Sequence, residues 1–293
     1  MPQRSWLFVP GDSSAKLDKV PSLGADVIVV DLEDAVAAAN KVAARQTAHD
    51  FLARHRQQIT QHTFGRWVRI NALDTPYWRD DLVAVMPAAP QGIMVPKCTG
   101  VEQLQQVSAE LYELEQRAGV PTNSTRLLPL VSETPASALT IGSYADATQP
   151  RLHGLTWGAE DLSSAIGATR KRGPDGTWTD LFRMVRSQTL LAAHARGILA
   201  IDTLHSDFRD TDGLKAMAEG ARADGFHGML AIHPAQVPVI NAAFTPDEAE
   251  LAHARAVVAA FAASPGAGTV QLDGEMLDQP HLKLARRMLG EDG

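Results

Sequence analysis

At 293 residues the chain is long for one compact domain, but it suits a barrel of about 250 residues with an appendage of roughly 50. Hydrophobic residues make up 45% and aromatics only 5%, which predicts an aliphatic core, and a net charge of −7 without a long basic run argues against a nucleic-acid surface. Cys98 is the single cysteine, no apolar run approaches the roughly 20 residues that span a membrane, and the N-terminus lacks a signal peptide's order, so a cytoplasmic protein off the membrane is expected.

In chain order, apolar runs alternate with segments of helical spacing. A strand over 4–11 is followed by the capping oxygens of Asp12, Ser13 and Ser14 and a helix over 16–20. A strand over 27–34 precedes a helix over 41–56 that Asn40 can cap, and one over 67–71 precedes a helix over 78–86 with Pro76 near its start. Strands over 93–97 and 127–133 flank an amphipathic helix over 101–118, and Thr134-Pro135 opens the next helix. After a strand over 154–161, residues 170–176 carry four charges, two glycines and a proline; they read as a surface loop or a lid. A helix over 180–196, a strand over 199–202, a helix over 212–224 and a strand over 228–234 complete the series.

Near-continuous apolar runs suit parallel strands buried on both faces, and eight of them with helices between predict a (β/α)8 TIM barrel over 1–240. Beyond it, 241–293 reads as a C-terminal extension of helices alone, over 246–263 and 274–289 with a Pro-Gly hinge between them.

Barrel chemistry sits at the C-terminal strand ends, and there the chain places Asp31, Glu33, Asp34, Arg69, Lys97, Glu133, Asp161 and His233. Two carboxylates on neighbouring rim loops, Glu133 and Asp161, make a hard-oxygen pair suited to Mg²⁺, whereas zinc would want a His and Cys cluster. The acids at 31, 33 and 34 would repel one another, so Lys41, Arg45, Arg69 or the metal must lie close; they read as groups orienting metal waters and the arginine, or as caps of the next helix. Arg69, costly inside a strand unless paired, suits recognition of a carboxylate or oxyanion, or an internal ion pair with Asp31 or Glu33. Lys97 carries the same ambiguity, with a Schiff base as a further use, and Cys98 is a thiol nucleophile or a small buried side chain. His233 is a substrate contact or a hydrogen-bonded structural histidine, and Gly11 before Lys16 and Lys19 could receive a phosphate at a helix start.

Taken together, Arg-Ser-Trp-Leu-Phe-Val-Pro-Gly from Arg4, Asp-Leu-Glu-Asp-Ala-Val from Asp31, Arg-Ile-Asn-Ala from Arg69, Val-Pro-Lys ending at Lys97, Glu-Thr-Pro from Glu133, Gly-Ala-Glu-Asp-Leu ending at Leu162 and Ala-Ile-His-Pro ending at Pro234 resemble the citrate lyase β-subunit-like family. That family lies within the HpcH/HpaI aldolase group and includes malyl-CoA and citramalyl-CoA lyases. The resemblance implies Mg²⁺-dependent, reversible cleavage of a 3-hydroxy-dicarboxylyl-CoA thioester into an acetyl-type thioester and a 2-keto acid. It gives Glu133 and Asp161 as metal ligands, Arg69 at the reacting oxygens, and Phe8, Lys16, Lys19, Ile232 and His233 around the coenzyme A portion. It makes Asp278 the general acid and base, delivered by the extension into a neighbouring subunit of a homo-oligomer built from trimers. Other readings are a β-subunit acting on an acyl carrier protein, a metal-dependent pyruvate-type aldolase on free acids, and a noncatalytic keto-acid-binding protein.

Overall fold

A computed structural model describes residues 3–56 and 64–291. They form two compact units, one ending at Phe244 and the other beginning at Thr245. The first unit contains eight strands: β1 (Ser5–Pro10), β2 (Val27–Asp31), β3 (Gly65–Arg69), β4 (Gly92–Val95), β5 (Arg126–Pro129), β6 (Gly154–Thr156), β7 (Leu199–Asp202) and β8 (Gly228–Ala231). Its helices are α1 (Ser14–Leu17), α2 (Lys41–Arg54), α3 (Trp78–Val85), α4 (Val101–Ala118), α5 (Pro135–Thr140), α6 (Ala159–Ala165), α7 (Asp180–Arg196), α8 (Thr211–Asp224) and α9 (Gln236–Ala243). The sheet runs in the order β5-β4-β3-β2-β1-β8-β7-β6 with parallel pairings, and the bridges Leu127 to Leu152 and Leu130 to Thr156 close β5 onto β6. This is the expected TIM barrel. Among the described residues no helix is long and apolar enough to cross a membrane.

Strand alternation divides the core into two clusters. Trp6, Val27, Val29, Trp67, Met94, Leu128, Leu130, Ile201 and Leu230 pack together inside the ring, while their neighbours in sequence, such as Leu7, Ile28, Val30, Val68 and Ile93, pack outward with the helices. Trp6 and Trp67 meet edge to face with ring centroids 5.0 Å apart. Because side chains repeat every second residue, Phe8, Asp31 and Arg69 continue the inward rows of β1, β2 and β3 at the C-terminal mouth.

Trp67 fits only because β4 opens with a glycine: a Cβ on Gly92 would lie 2.3 Å from the indole. Gly92→Ala is therefore expected to cost about 1–3 kcal/mol, the usual penalty of overpacking. Urea unfolding checks it, and an unchanged midpoint would refute the close packing.

The second unit holds α10 (Glu248–Ala263), a hairpin of β9 (Thr269–Leu272) and β10 (Glu275–Asp278), and α11 (Gln279–Leu289). Its own small core contains Ala254, Val257, Phe261, Leu277, Leu282 and Ala285. Helix α10 follows the expected span, but the segment expected as helix over 274–289 begins as a strand. The signal lies in Asp273-Gly274, both at positive φ between two short runs, which is the Asp-Gly turn that joins antiparallel strands.

Candidate active site

Register builds the mouth of the barrel. Asp31 and Arg69 are partners in the β2–β3 pairing, and the carboxylate accepts from Arg69 Nε at 2.8 Å and Nη2 at 2.7 Å. Burial works against the charge of Asp31, but Arg69 and the amides of Glu33 and Ala35 together hold its carboxyl below the usual range. Those amide bonds end β2 at Asp31, so Glu33 and Asp34 lie in the turn after the strand and not on the strand itself. Arg69 Nη1 is 3.0 Å from Glu33 Oε2, and the guanidinium lies over the Phe8 ring at 4.8 Å.

Glu133 follows β5 after three more residues and is buried. Its Oε2 accepts the Lys97 backbone N–H at 2.5 Å, and Lys97 itself sits at φ 50°. A Cβ on Gly158 would stand 2.8 Å from Glu133 Cγ, so the bare backbone there leaves the carboxylate its place. Burial, then the nearby Glu33 and Asp161 charges, push the Glu133 carboxyl up to about 8 against the pull of Arg69. Asp161, expected at a strand end, instead lies in the first turn of α6, half-exposed.

Phe8, Asp31, Asp34, Arg69, Glu133, Asp161 and Ile232 line one cavity of about 360 Å³. Pro10, Leu130, Thr203, Leu204 and Leu230 add an apolar wall that sequence reasoning did not single out, although Leu130 and Leu230 belong to the inward rows. Chemistry, not size, selects this cavity, since one of about 370 Å³ at the opposite mouth is lined by Gln3, Trp67, Gln91 and His153.

Of the expected counter-ions Arg69 is in place against Asp31 and Glu33, while Lys41 and Arg45 are engaged elsewhere. Lys41 Nζ donates to the Leu32 and Glu33 carbonyl oxygens, both at 2.7 Å, and Arg45 pairs with Asp81 and Asp80. Lys97 joins Arg69 instead: its Nζ lies 2.5 Å from Glu33 Oε1, 3.3 Å from Asp34 Oδ2 and 3.7 Å from Asp161 Oδ1. Burial opposes its charge, yet Glu33 first, then Glu133 and Asp34, hold the ammonium above its ordinary pKa, which disfavours the neutral amine a Schiff base needs. Cys98 is buried, takes a hydrogen bond from the Tyr144 hydroxyl at 3.2 Å and has its thiol pushed up by burial, so it is the small core side chain and not a nucleophile.

The remaining candidates are not among the residues that line this cavity. Lys16 is in α1 and Lys19 just beyond it, both exposed, and His233 stacks on Phe208 with centroids 4.6 Å apart. Asp278 belongs to the second unit, where it precedes α11 with Oδ1 2.5 Å from His281 Nδ1. The loop over 170–176 is pinned as a surface turn: Arg172 lies 3.6 Å over the Trp178 ring and the Gly173 N–H donates to the Thr177 carbonyl.

The profile of the HpcH/HpaI aldolase/citrate lyase family matches residues 4–234. The chain belongs to the HpcH/HpaI aldolase/citrate lyase family. Within that family it is 37% identical over 288 residues to the citrate lyase subunit beta-like protein of Mycobacterium tuberculosis, covering 98% of this chain and 95% of that one. The (3S)-malyl-CoA thioesterase of Cereibacter sphaeroides is 34% identical over 292 residues, covering 99% and 94%. Among solved structures, CitE of M. tuberculosis in complex with magnesium, acetoacetate and coenzyme A superposes with a TM-score of 0.78 at 35% identity, covering 99% of this chain and 98% of that one. Membership makes this chain one of a family of lyases and aldolases.

Proposed function

We propose that this family member is a magnesium-dependent carbon–carbon lyase that cleaves, or in reverse forms, a 3-hydroxy-dicarboxylyl-CoA thioester, with an acetyl-type thioester and a 2-keto acid on the other side. The observation that carries the reading is the meeting of Glu133, Asp161 and Arg69 in one cavity, in a chain covered over 99% of its length by a relative holding magnesium, a keto acid and coenzyme A.

The donor set suits magnesium. Among the described residues no three His, Cys, Asp or Glu side chains are arranged to hold one ion, and a hard cation held by two carboxylates completes its shell with water and substrate oxygens. Burial, with the neighbouring Glu33 and Asp161 charges, raises the Glu133 carboxyl, so the pocket favours an added positive charge. Glu133 and Asp161 would hold the magnesium ion, which would supply a Lewis acid to the bound keto acid.

The chain's own residues supply the rest. Arg69, locked by Asp31 and seated on Phe8, presents a fixed guanidinium to the oxygen that gains negative charge as the carbon–carbon bond breaks. Asp31, Glu33 and Asp34 keep that arginine and the waters oriented. Phe8 and Ile232, with Lys16, Lys19 and His233 on the same rim, hold the thioester. Asp278, delivered by the second unit of a neighbouring copy in a trimer-based homo-oligomer, carries the proton to and from the acetyl carbon. The resemblance to malyl-CoA thioesterases favours hydrolysis of the same thioesters as a second reading.

Incubation with malyl-, citramalyl- and citryl-CoA in Mg²⁺ or in EDTA separates these. A lyase yields acetyl-CoA with glyoxylate, pyruvate or oxaloacetate, whereas a thioesterase yields free coenzyme A with the intact hydroxy acid. Activity expected in Mg²⁺ disappears in EDTA; full activity in EDTA refutes the metal, and turnover only on a loaded acyl carrier protein assigns the β-subunit role.

A further inference from the structure

We propose that Lys97 is a positioning residue that keeps a resident positive charge among the metal-binding carboxylates, so that the cation is held weakly and its charge stays available to the substrate. This inference rests on the metal reading above and names a function for a residue outside the cavity lining.

Three observations carry it. First, Lys97 reaches both carboxylates of the metal pair through different atoms, its backbone N–H on Glu133 Oε2 at 2.5 Å and its ammonium 3.7 Å from Asp161 Oδ1. Second, the residue stands at φ 50°, a region a side chain with a Cβ seldom occupies, and in that conformation its N–H meets Glu133 while its side chain meets the other acids. Third, the ammonium is the cation that serves Glu33 Oε1 and Asp34, which Lys41 and Arg45 do not reach.

Five carboxylates crowd this mouth, from Asp31, Glu33, Asp34, Glu133 and Asp161, against the charges of Arg69 and Lys97. A cation gripped by Asp161 must share that carboxylate with the ammonium. Like charges a few ångströms apart in a medium of effective dielectric about 20 repel strongly, so Lys97 lowers the affinity for the cation. Its removal leaves the acids to draw the cation in more tightly, while the excess negative charge opposes an anionic keto acid and weakens the Lewis acid. Metal affinity and turnover therefore move in opposite directions, which loss of a merely structural contact would not produce.

Lys97→Gly is the clean variant, because glycine accepts the left-handed backbone and keeps the N–H on Glu133 while deleting the ammonium. Calorimetric titration of the full-length protein with MgCl₂ alone is expected to show binding about tenfold tighter than wild type, about 1.4 kcal/mol, and kcat at saturating Mg²⁺ about tenfold lower with a raised keto-acid KM. Lys97→Arg, which keeps the charge, should retain wild-type affinity for Mg²⁺. Weaker or unchanged Mg²⁺ binding in Lys97→Gly overturns the inference; if that variant does not fold, Lys97→Met is judged by the same criterion. Wild-type protein that takes up no Mg²⁺ instead overturns the metal reading, and this inference with it.

Discussion

Glu133→Gln is expected to weaken Mg²⁺ binding by at least about 100-fold and to lower turnover by a similar factor. The substitution keeps the shape that fits against Gly158 and leaves an acceptor oxygen for the Lys97 N–H, so the change falls on charge and not on packing. Stability should move the other way. In EDTA-treated wild type, the Glu133 carboxyl is raised from its ordinary 4.5 to about 8 by burial first and by Glu33 and Asp161 next. A raised folded-state pKa means that this group's contribution to stability is complete below about 4.5 and is lost as pH climbs through about 8. Glu133→Gln lacks that part of the decline, and Mg²⁺ should flatten it in the wild type. Titration calorimetry and urea unfolding between those pH values check both halves. A variant that binds Mg²⁺ like the wild type would remove Glu133 from the metal site.

Asp278→Asn is expected to cut turnover by at least about 1,000-fold while Mg²⁺ and keto-acid binding stay within about twofold of wild type. Asparagine caps a helix about as well as aspartate, so the junction between β10 and α11 is retained and only the exchangeable proton is lost. Mixing inactive Asp278→Asn with an inactive Arg69→Met variant tests delivery across subunits, because mixed oligomers would then contain some complete sites. Equal loss of binding and turnover in Asp278→Asn would place the residue in a different role.

Much of the fold was legible because strand burial is written in alternation. The series Val27, Val29, Asp31 and Trp67, Arg69 already points two charged groups into the mouth of a barrel, and the register that pairs them adds only the distance. Strand ends were less legible: Asp31 turns its own backbone by accepting the Glu33 and Ala35 amides, a choice made by hydrogen bonding and not by hydrophobic pattern. Lys97 was ambiguous because its position depends on left-handed backbone, which composition does not encode, and on acids from three other loops. Arg45 was placed near those acids by sequence proximity, yet buried Asp81, which also accepts from Asn71, binds it instead. The hairpin before α11 carries its signal in two residues, Asp273 and Gly274, inside a stretch whose overall spacing reads as helix.

The seclusion of Cys98 has a practical use. As the chain's lone sulfhydryl, it is held behind Tyr144 in the interior, and the folded protein should react slowly with colourimetric disulfide reagents. Such a dye would then count coenzyme A set free by hydrolysis with little background from the catalyst, and carbon–carbon scission would leave the same dye colourless.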